Sequence, residues 1–203
     1  MAKWLSKIGT WDVERVEIKR KGGAPYFPVV RSRQGVLHTS EGTNVNTLIT
    51  TLRDKFSPYH LAVAPGRILQ FRPLDVQAGS LRKDMNRAAQ AQIVMVLSCK
   101  ETPWLPPPAL RDPLVALLRY FKDVEGIPLQ EPDTGWPSDY SDMNGQIWAN
   151  NNIRRRAALK NAWWGQRPGW WQHFEVPNQA PTWHHDCWRL RRKELLDMAA
   201  ALP

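Results

Sequence analysis

Two short apolar runs with one amphipathic segment between them constrain the fold of this chain more than any other feature. Val36 to Thr39 makes a short buried strand, and Tyr59 to Val63 begins another. Between them Val45, Leu48, Ile49, Leu52 and Phe56 recur at three- and four-residue spacing, which predicts a helix over 44–55. Tyr59–Val63 and Ile68–Phe71 flank Pro65-Gly66, a hairpin signal. Gln92 to Ser98 is the best candidate for a central strand. After Pro106-Pro107-Pro108 a second helix is expected, with Asp112 as its N-cap and Pro113 at its first position. Its apolar stripe is Leu114, Leu117, Leu118, Phe121 and Val124, and Gly126 stops it. A basic-then-apolar helix runs from Trp188 to Leu202. Strands alternating with helices predict an α/β fold, a single mixed domain whose central, mostly mixed β-sheet is flanked by helices.

The rest of the chain sets the boundaries of that domain. Residues 1–33 carry mixed charge and the breakers Gly22-Gly23 and Pro25, so they read as an N-terminal arm or edge strand, with 34–203 as the domain proper. Residues 130–165 are rich in Pro, Asn, Trp and Arg and read as an insertion or long surface loop, with one short helix near 153–161. No internal repeat is evident.

The chain has 203 residues and 42% hydrophobic content, enough for a full core. A formal net charge of +9 points to an anionic partner: nucleic acid, a membrane surface or a bacterial cell wall. The basic runs Lys19-Arg20-Lys21, Arg154-Arg155-Arg156 and Arg189 to Lys193 are, as a class, more often solvated faces than binding sites. Cys99 and Cys187 make no disulfide framework, and free thiols in a reducing cytoplasm are the expectation. The polar, charged stretch from Ser6 to Lys21 has no apolar core of a signal peptide, and no apolar stretch approaches the ~20 residues of a membrane span.

The five histidines fall in three clusters. His38 ends the run Gly35-Val36-Leu37. Tyr59-His60 opens the next apolar run. His173, His184 and His185 lie in a Trp-rich stretch closed by Asp186. A Zn²⁺ ion that hydrolyses an amide needs three protein ligands and an exchangeable water, whose pKa it lowers toward ~7. It also needs a group to hold the oxyanion or to protonate the leaving amine. His38, at a strand end, suits a first ligand; His173 and Asp186 suit a second and third, leaving Tyr59 and His184 as polar groups beside the metal. His60 reads as structural, because neighbours on a strand point to opposite faces.

Those residues carry a resemblance. Val36-Leu37-His38-Thr39-Ser40-Glu41-Gly42, Ser57-Pro58-Tyr59-His60-Leu61-Ala62-Val63, Ala78-Gly79-Ser80 with Asn86, and Trp171-Gln172-His173-Phe174-Glu175-Val176-Pro177 followed by His184-His185-Asp186 occur in order. Together they resemble the zinc-dependent N-acetylmuramoyl-L-alanine amidases of the peptidoglycan-recognition-protein superfamily, the phage endolysins above all, over roughly residues 34–190. The resemblance implies His38, His173 and Asp186 as zinc ligands, Tyr59 as the catalytic tyrosine, and His184 in the place of a catalytic Lys or His. It also implies a groove edge at Ala78–Ser80 and Asn86. Trp170 and Trp171 suit stacking on sugar faces, with core packing the competing role. Two departures stand. Val94 occupies the position where many bacterial members carry a Glu, and Asp186-Cys187-Trp188 replaces Asp-Pro-Gly, so Cys187 is an alternative third ligand, with His185 then in the role of His184.

The implied activity is hydrolysis of the amide between N-acetylmuramic acid and L-alanine in peptidoglycan. The implied setting is a monomeric phage endolysin made in the host cytoplasm and released to the wall by a holin. Such a lysin is bacteriolytic, hence antimicrobial, and without a separate wall-binding module a Gram-negative host is favoured. The expected partner is peptidoglycan, without nucleic acid and without membrane insertion. The rival readings are a muropeptide-binding module that does not cleave, and a nucleic-acid binder using the charge and the 11 tryptophans.

Overall fold

The computed structural model describes residues 2–18, 27–81, 85–100, 102–132, 164–176 and 190–203. The short helix expected near 153–161, most of the 130–165 insertion and the His184-His185-Asp186 motif lie outside the described residues, as do the basic runs at 19–21 and 154–156.

Seven strands among the described residues form one mixed sheet in the order β1-β2-β5-β4-β6-β3-β7. The strands are β1 (Lys7–Ile8), β2 (Trp11–Arg15), β3 (Gln34–Thr39), β4 (Leu61–Ala64), β5 (Arg67–Gln70), β6 (Ala91–Met95) and β7 (Gly169–Gln172). β6 runs parallel to both β3 and β4, and β7 runs parallel to β3. The antiparallel pairs are β1–β2 and β4–β5, the latter closed by Pro65-Gly66 with Gly66 at φ +68°. β1 and β2 therefore lie at one edge of the sheet, and β7 at the other.

Among the described residues four α-helices flank the sheet: α1 (Val45–Lys55), α2 (Met85–Ala88), α3 (Pro108–Asp123) and α4 (Arg192–Ala201). Asn44 caps α1, its side chain accepting from the backbone N–H groups of Asn46 and Thr47. Side-chain alternation sorts the sheet into two cores. Leu37, Leu61, Val63, Ile93, Met95 and Trp170 face α3 and α4. Ala62, Ala64, Val94 and Val96 face α1, whose Leu48 and Leu52 cover them. A third cluster joins Val36, Leu81, Ala89, Trp171 and Val176.

α3 departs from the sequence expectation. It begins at Pro108 with Pro107 as N-cap, so Asp112 is not the cap and Pro113 lies inside the helix. An interior proline costs about 3 kcal/mol, partly because the carbonyl four residues back loses its donor. Here that carbonyl, of Ala109, accepts the N–H of Gly66 from the β4–β5 turn at 2.9 Å. Burial of Leu110, Leu114, Leu117, Leu118 and Phe121, at roughly 1.5–3 kcal/mol per side chain, offsets the remainder. Val124 lies outside the stripe, 56% exposed. The expected final helix is present but starts at Arg192.

Candidate metal centre

The site grows out of the register of β3 and β7. Val36 pairs with Trp171 and Leu37 with Gln172, so the next residues in each strand direction, His38 and His173, stand side by side. Alternation puts His38 on the α1 face with Val36. Its ring centroid lies 4.5 Å from that of His173 and 4.7 Å from that of Tyr59, the Tyr59 contact edge-on. His38 is fully buried, His173 is 4% exposed and Tyr59 is half-buried. Three residues far apart in sequence thus meet at one point of the sheet.

Local chemistry holds each of them. The start of β7 is fixed to β3 by Gln34, which donates to the Arg167 carbonyl at 2.8 Å and accepts the Gly165 N–H at 2.9 Å. Immediately after β7, His173–Glu175 makes one 3₁₀ turn in which the Glu175 carboxylate accepts the Gln172 N–H at 2.6 Å. On the β3 side, Thr39 donates its hydroxyl to Glu41, which also accepts the Cys99 N–H at 3.4 Å. That contact ties the loop after β3 to the segment after β6. Val94 is the β6 partner of His38 and is itself buried, so a hydrocarbon side chain occupies that register position.

His60, next to Tyr59, has different partners. Its Nδ1 accepts the Gln92 backbone N–H at 3.0 Å, which leaves Nε2–H to donate to the Val76 carbonyl at 2.7 Å. Acceptance at Nδ1 requires the neutral ring. Burial, the main cause, lowers its pKa from 6.5 to about 4; the Val76 hydrogen bond opposes the shift, and nearby Arg72 assists it.

The structure also places the three residues expected to touch substrate. Trp170 and Trp171 are fully buried. Trp170 packs edge-on against Phe121 at 5.6 Å and lies against Gly35, where any Cβ would come within 2.4 Å of its ring. Trp171 packs edge-on against Trp164 at 5.2 Å. Stacking on a sugar needs a solvent-facing ring, so the expectation for this pair is corrected: both belong to the core. Asn86 accepts the Leu81 N–H at 3.0 Å, donates to the Leu81 carbonyl at 2.5 Å and accepts from the Gln92 side chain at 3.0 Å. Ser80 donates to the other end of the Gln92 carboxamide. Asn86 therefore shapes the 80–81 edge through hydrogen bonds within the protein.

Sequence reasoning missed one group. Arg192, inside a run read as a solvated face, is 1% exposed and pairs with Glu175 at 2.5 Å and Glu131 at 2.8 Å. The signal was present: Arg192, Leu195, Leu196 and Ala199 share one helical stripe, and all are buried.

The donor chemistry suits a zinc ion in part. Neutral imidazole is a standard zinc ligand, and two imidazoles meet here. No group of three His, Cys, Asp or Glu side chains gathers among the described residues. Asp186, His184, His185 and Cys187 lie outside them.

A seven-stranded mixed sheet flanked by helices, with a ring cluster on an interior strand, places the chain in a recognisable class: it has the amidase-like α/β fold. N-acetylmuramoyl-L-alanine amidase LysC from Clostridium intestinale superposes with a TM-score of 0.56 at 14% identity, over 93% of this chain and 99% of that one. Endolysin N-acetylmuramoyl-L-alanine amidase LysCS, also from Clostridium intestinale, gives 0.57 at 13% identity, over 93% of this chain and 97% of that one. Staphylococcus aureus hydrolase AmiA, solved in complex with its ligand, gives 0.51 at 10% identity, over 98% and 94%. The chain matches no family model and no curated protein. No helix among the described residues is long and apolar enough to cross a membrane.

Proposed function

We propose that this protein is a zinc-dependent N-acetylmuramoyl-L-alanine amidase that cleaves peptidoglycan between N-acetylmuramic acid and the L-alanine of the stem peptide. The observation that carries the reading is the β3–β7 register, which sets the His38 and His173 rings 4.5 Å apart, with Tyr59 against His38. The fold shared with amidases of known structure supports it.

In this reading His38 and His173 hold the metal with Asp186, or with Cys187 in its place. Zinc supplies a Lewis acid that polarises the scissile carbonyl and lowers the pKa of a water toward ~7. Tyr59 donates its phenolic hydrogen bond to the oxyanion that develops on the carbonyl, and the tight ring contact with His38 keeps that phenol in place. His184 gives a proton to the departing L-alanine nitrogen, which otherwise leaves as a poor amide anion. With Val94 in the β6 register, no carboxylate is provided there as a base, and the proton chemistry falls to Tyr59 and His184.

The net charge of +9 suits an anionic wall polymer, so the charge calls for no nucleic-acid partner. A monomeric phage endolysin, released to the wall by a holin, fits this combination.

Mass spectrometry of purified peptidoglycan digested with the protein tests the proposal. Stem peptides with a free N-terminal L-alanine are expected from the zinc-loaded protein, and none after chelation. Binding to the wall without release of peptide would make the protein a recognition module and remove the roles given to Tyr59 and His184.

A further inference from the structure

We infer that Arg192 is a positioning residue for the metal centre, acting through Glu175 on the turn that carries His173. The inference rests on the amidase reading for its functional consequence and on the ion pair for its mechanism. Arg192 opens α4, and its guanidinium donates to Glu175 through one terminal nitrogen at 2.5 Å and to Glu131 through Nε at 2.8 Å. Glu175 is fully buried and its same oxygen accepts the Gln172 N–H. One carboxylate oxygen thus accepts one hydrogen bond from the last residue of β7 and another from α4, residues on either side of His173 in the sequence.

Burying such charges is costly, and truncating one partner leaves the other charged in a low-dielectric interior. The arrangement persists because the planar fork of arginine serves two carboxylates in fixed directions, which the point charge of lysine does not. Backbone contacts reinforce the junction. Arg191 N–H donates to the Trp104 carbonyl at 2.9 Å, and the Gln172 side chain reaches the Leu190 carbonyl at 3.4 Å.

The pairing has a second consequence. The chain passes Val176 and returns to the described residues at Leu190, and the stretch between contains His184, His185, Asp186 and Cys187. The Glu175–Arg192 pair ties the turn that carries His173 to the start of α4, so one contact joins the elements on which the chain leaves and re-enters the described residues. Outer partners of metal-binding histidines typically change metal affinity by about 10–100-fold.

The test uses the full-length protein and the variants Arg192→Lys and Glu131→Gln, the second neutralising only the partly exposed carboxylate of the network. Zinc affinity is measured by chelator competition, and the cobalt-substituted protein is followed by its visible absorption. Arg192→Lys is expected to fold with unchanged far-ultraviolet circular dichroism, to lose about tenfold or more in zinc affinity, and to alter the cobalt spectrum. Glu131→Gln should move both readouts in the same direction by less. The imidazole NMR signals of the metal-free proteins provide the readout that needs no metal. Arg192→Lys should move the His173 resonances and leave those of His60 in place.

Should the wild-type protein bind no zinc, the amidase reading fails, and the His173 resonances alone decide the positioning role. Unmoved His173 signals in folded Arg192→Lys, or unchanged zinc affinity and cobalt spectrum in a zinc-binding protein, overturn the inference. If Arg192→Lys does not fold, Glu131→Gln decides by the same signals.

Discussion

Two buried histidines, His38 within β3 and His60 immediately before β4, lie beside the same strand β6 and have different kinds of neighbour. His60 is held by the main chain: one ring nitrogen accepts a backbone N–H and the other donates its N–H to a backbone carbonyl. From Gln92 the hydrogen bonds continue through its side chain to Ser80 and Asn86 and on to Leu81. His38 is instead packed against the rings of Tyr59 and His173, the latter a second imidazole. Burial is equal in the two cases, so it does not separate structure from chemistry. The kind of neighbour does. Backbone partners fix a tautomer and a neutral charge, whereas a second imidazole puts another nitrogen donor beside the first, the pairing on which the proposed metal site rests.

The sharpest way to break that contrast is to remove one ring from each cluster. His173→Ala should abolish hydrolysis, well beyond the about 100-fold that an outer-shell partner costs, with the fold retained by circular dichroism. His60→Ala should do the reverse: the Gln92 N–H and Val76 carbonyl lose their partner, each costing about 1–3 kcal/mol, while the folded fraction still hydrolyses peptidoglycan. Equal losses of stability from the two variants would end the distinction.

The pH dependence of stability comes next in size. His60 is neutral in the fold, with its pKa lowered to about 4, whereas the unfolded chain takes up that proton near 6.5. Its contribution is therefore fully present above pH 6.5 and is lost as pH falls toward 4. The loss totals about 3 kcal/mol, at 1.36 kcal/mol per pKa unit. Urea midpoints at pH 7 and pH 5 should show the decline in wild type and a flatter profile in His60→Gln. A smaller effect, on rate alone, is expected of Tyr59→Phe. Loss of one hydrogen bond to the oxyanion should cut kcat by about 100-fold, with KM and the melting temperature little changed in steady-state and thermal assays. A change confined to KM would assign Tyr59 to substrate binding instead.

Much of the fold was legible because periodicity records burial. The α1 stripe, the Pro65-Gly66 hairpin and the β6 strand all express contacts made within one element and its immediate neighbour. Where the sequence misled, the deciding partner lay elsewhere in the chain. Pro113 looked like a helix start until Gly66 supplied the donor for Ala109, and Arg192 looked solvated until two distant carboxylates met it. Trp170 and Trp171 share that cause. A tryptophan pair on a strand suits either a sugar platform or a core. Only the pairing of β7 with β3 turns one ring onto Gly35 and Phe121 and the other onto Trp164. The meeting of His38 with His173 is likewise a consequence of register, which no local pattern contains.

Asn86 supplies the finest test of the two clusters, because it belongs to the His60 network by its bonds and to the substrate groove by resemblance. Its carboxamide already makes two hydrogen bonds to Leu81 and accepts one from Gln92. Asn86→Ala would release the 80–81 edge and leave the Gln92 carboxamide short of an acceptor, for about 1–2 kcal/mol of stability. If the edge forms one wall of the groove, KM should rise several-fold with kcat nearly constant, since the His38 and His173 rings are not touched by the change. A fall in kcat at constant KM would mean that Asn86 reaches the reacting atoms, and that the hydrogen-bonded cluster is less separate from the ring cluster than their contacts imply.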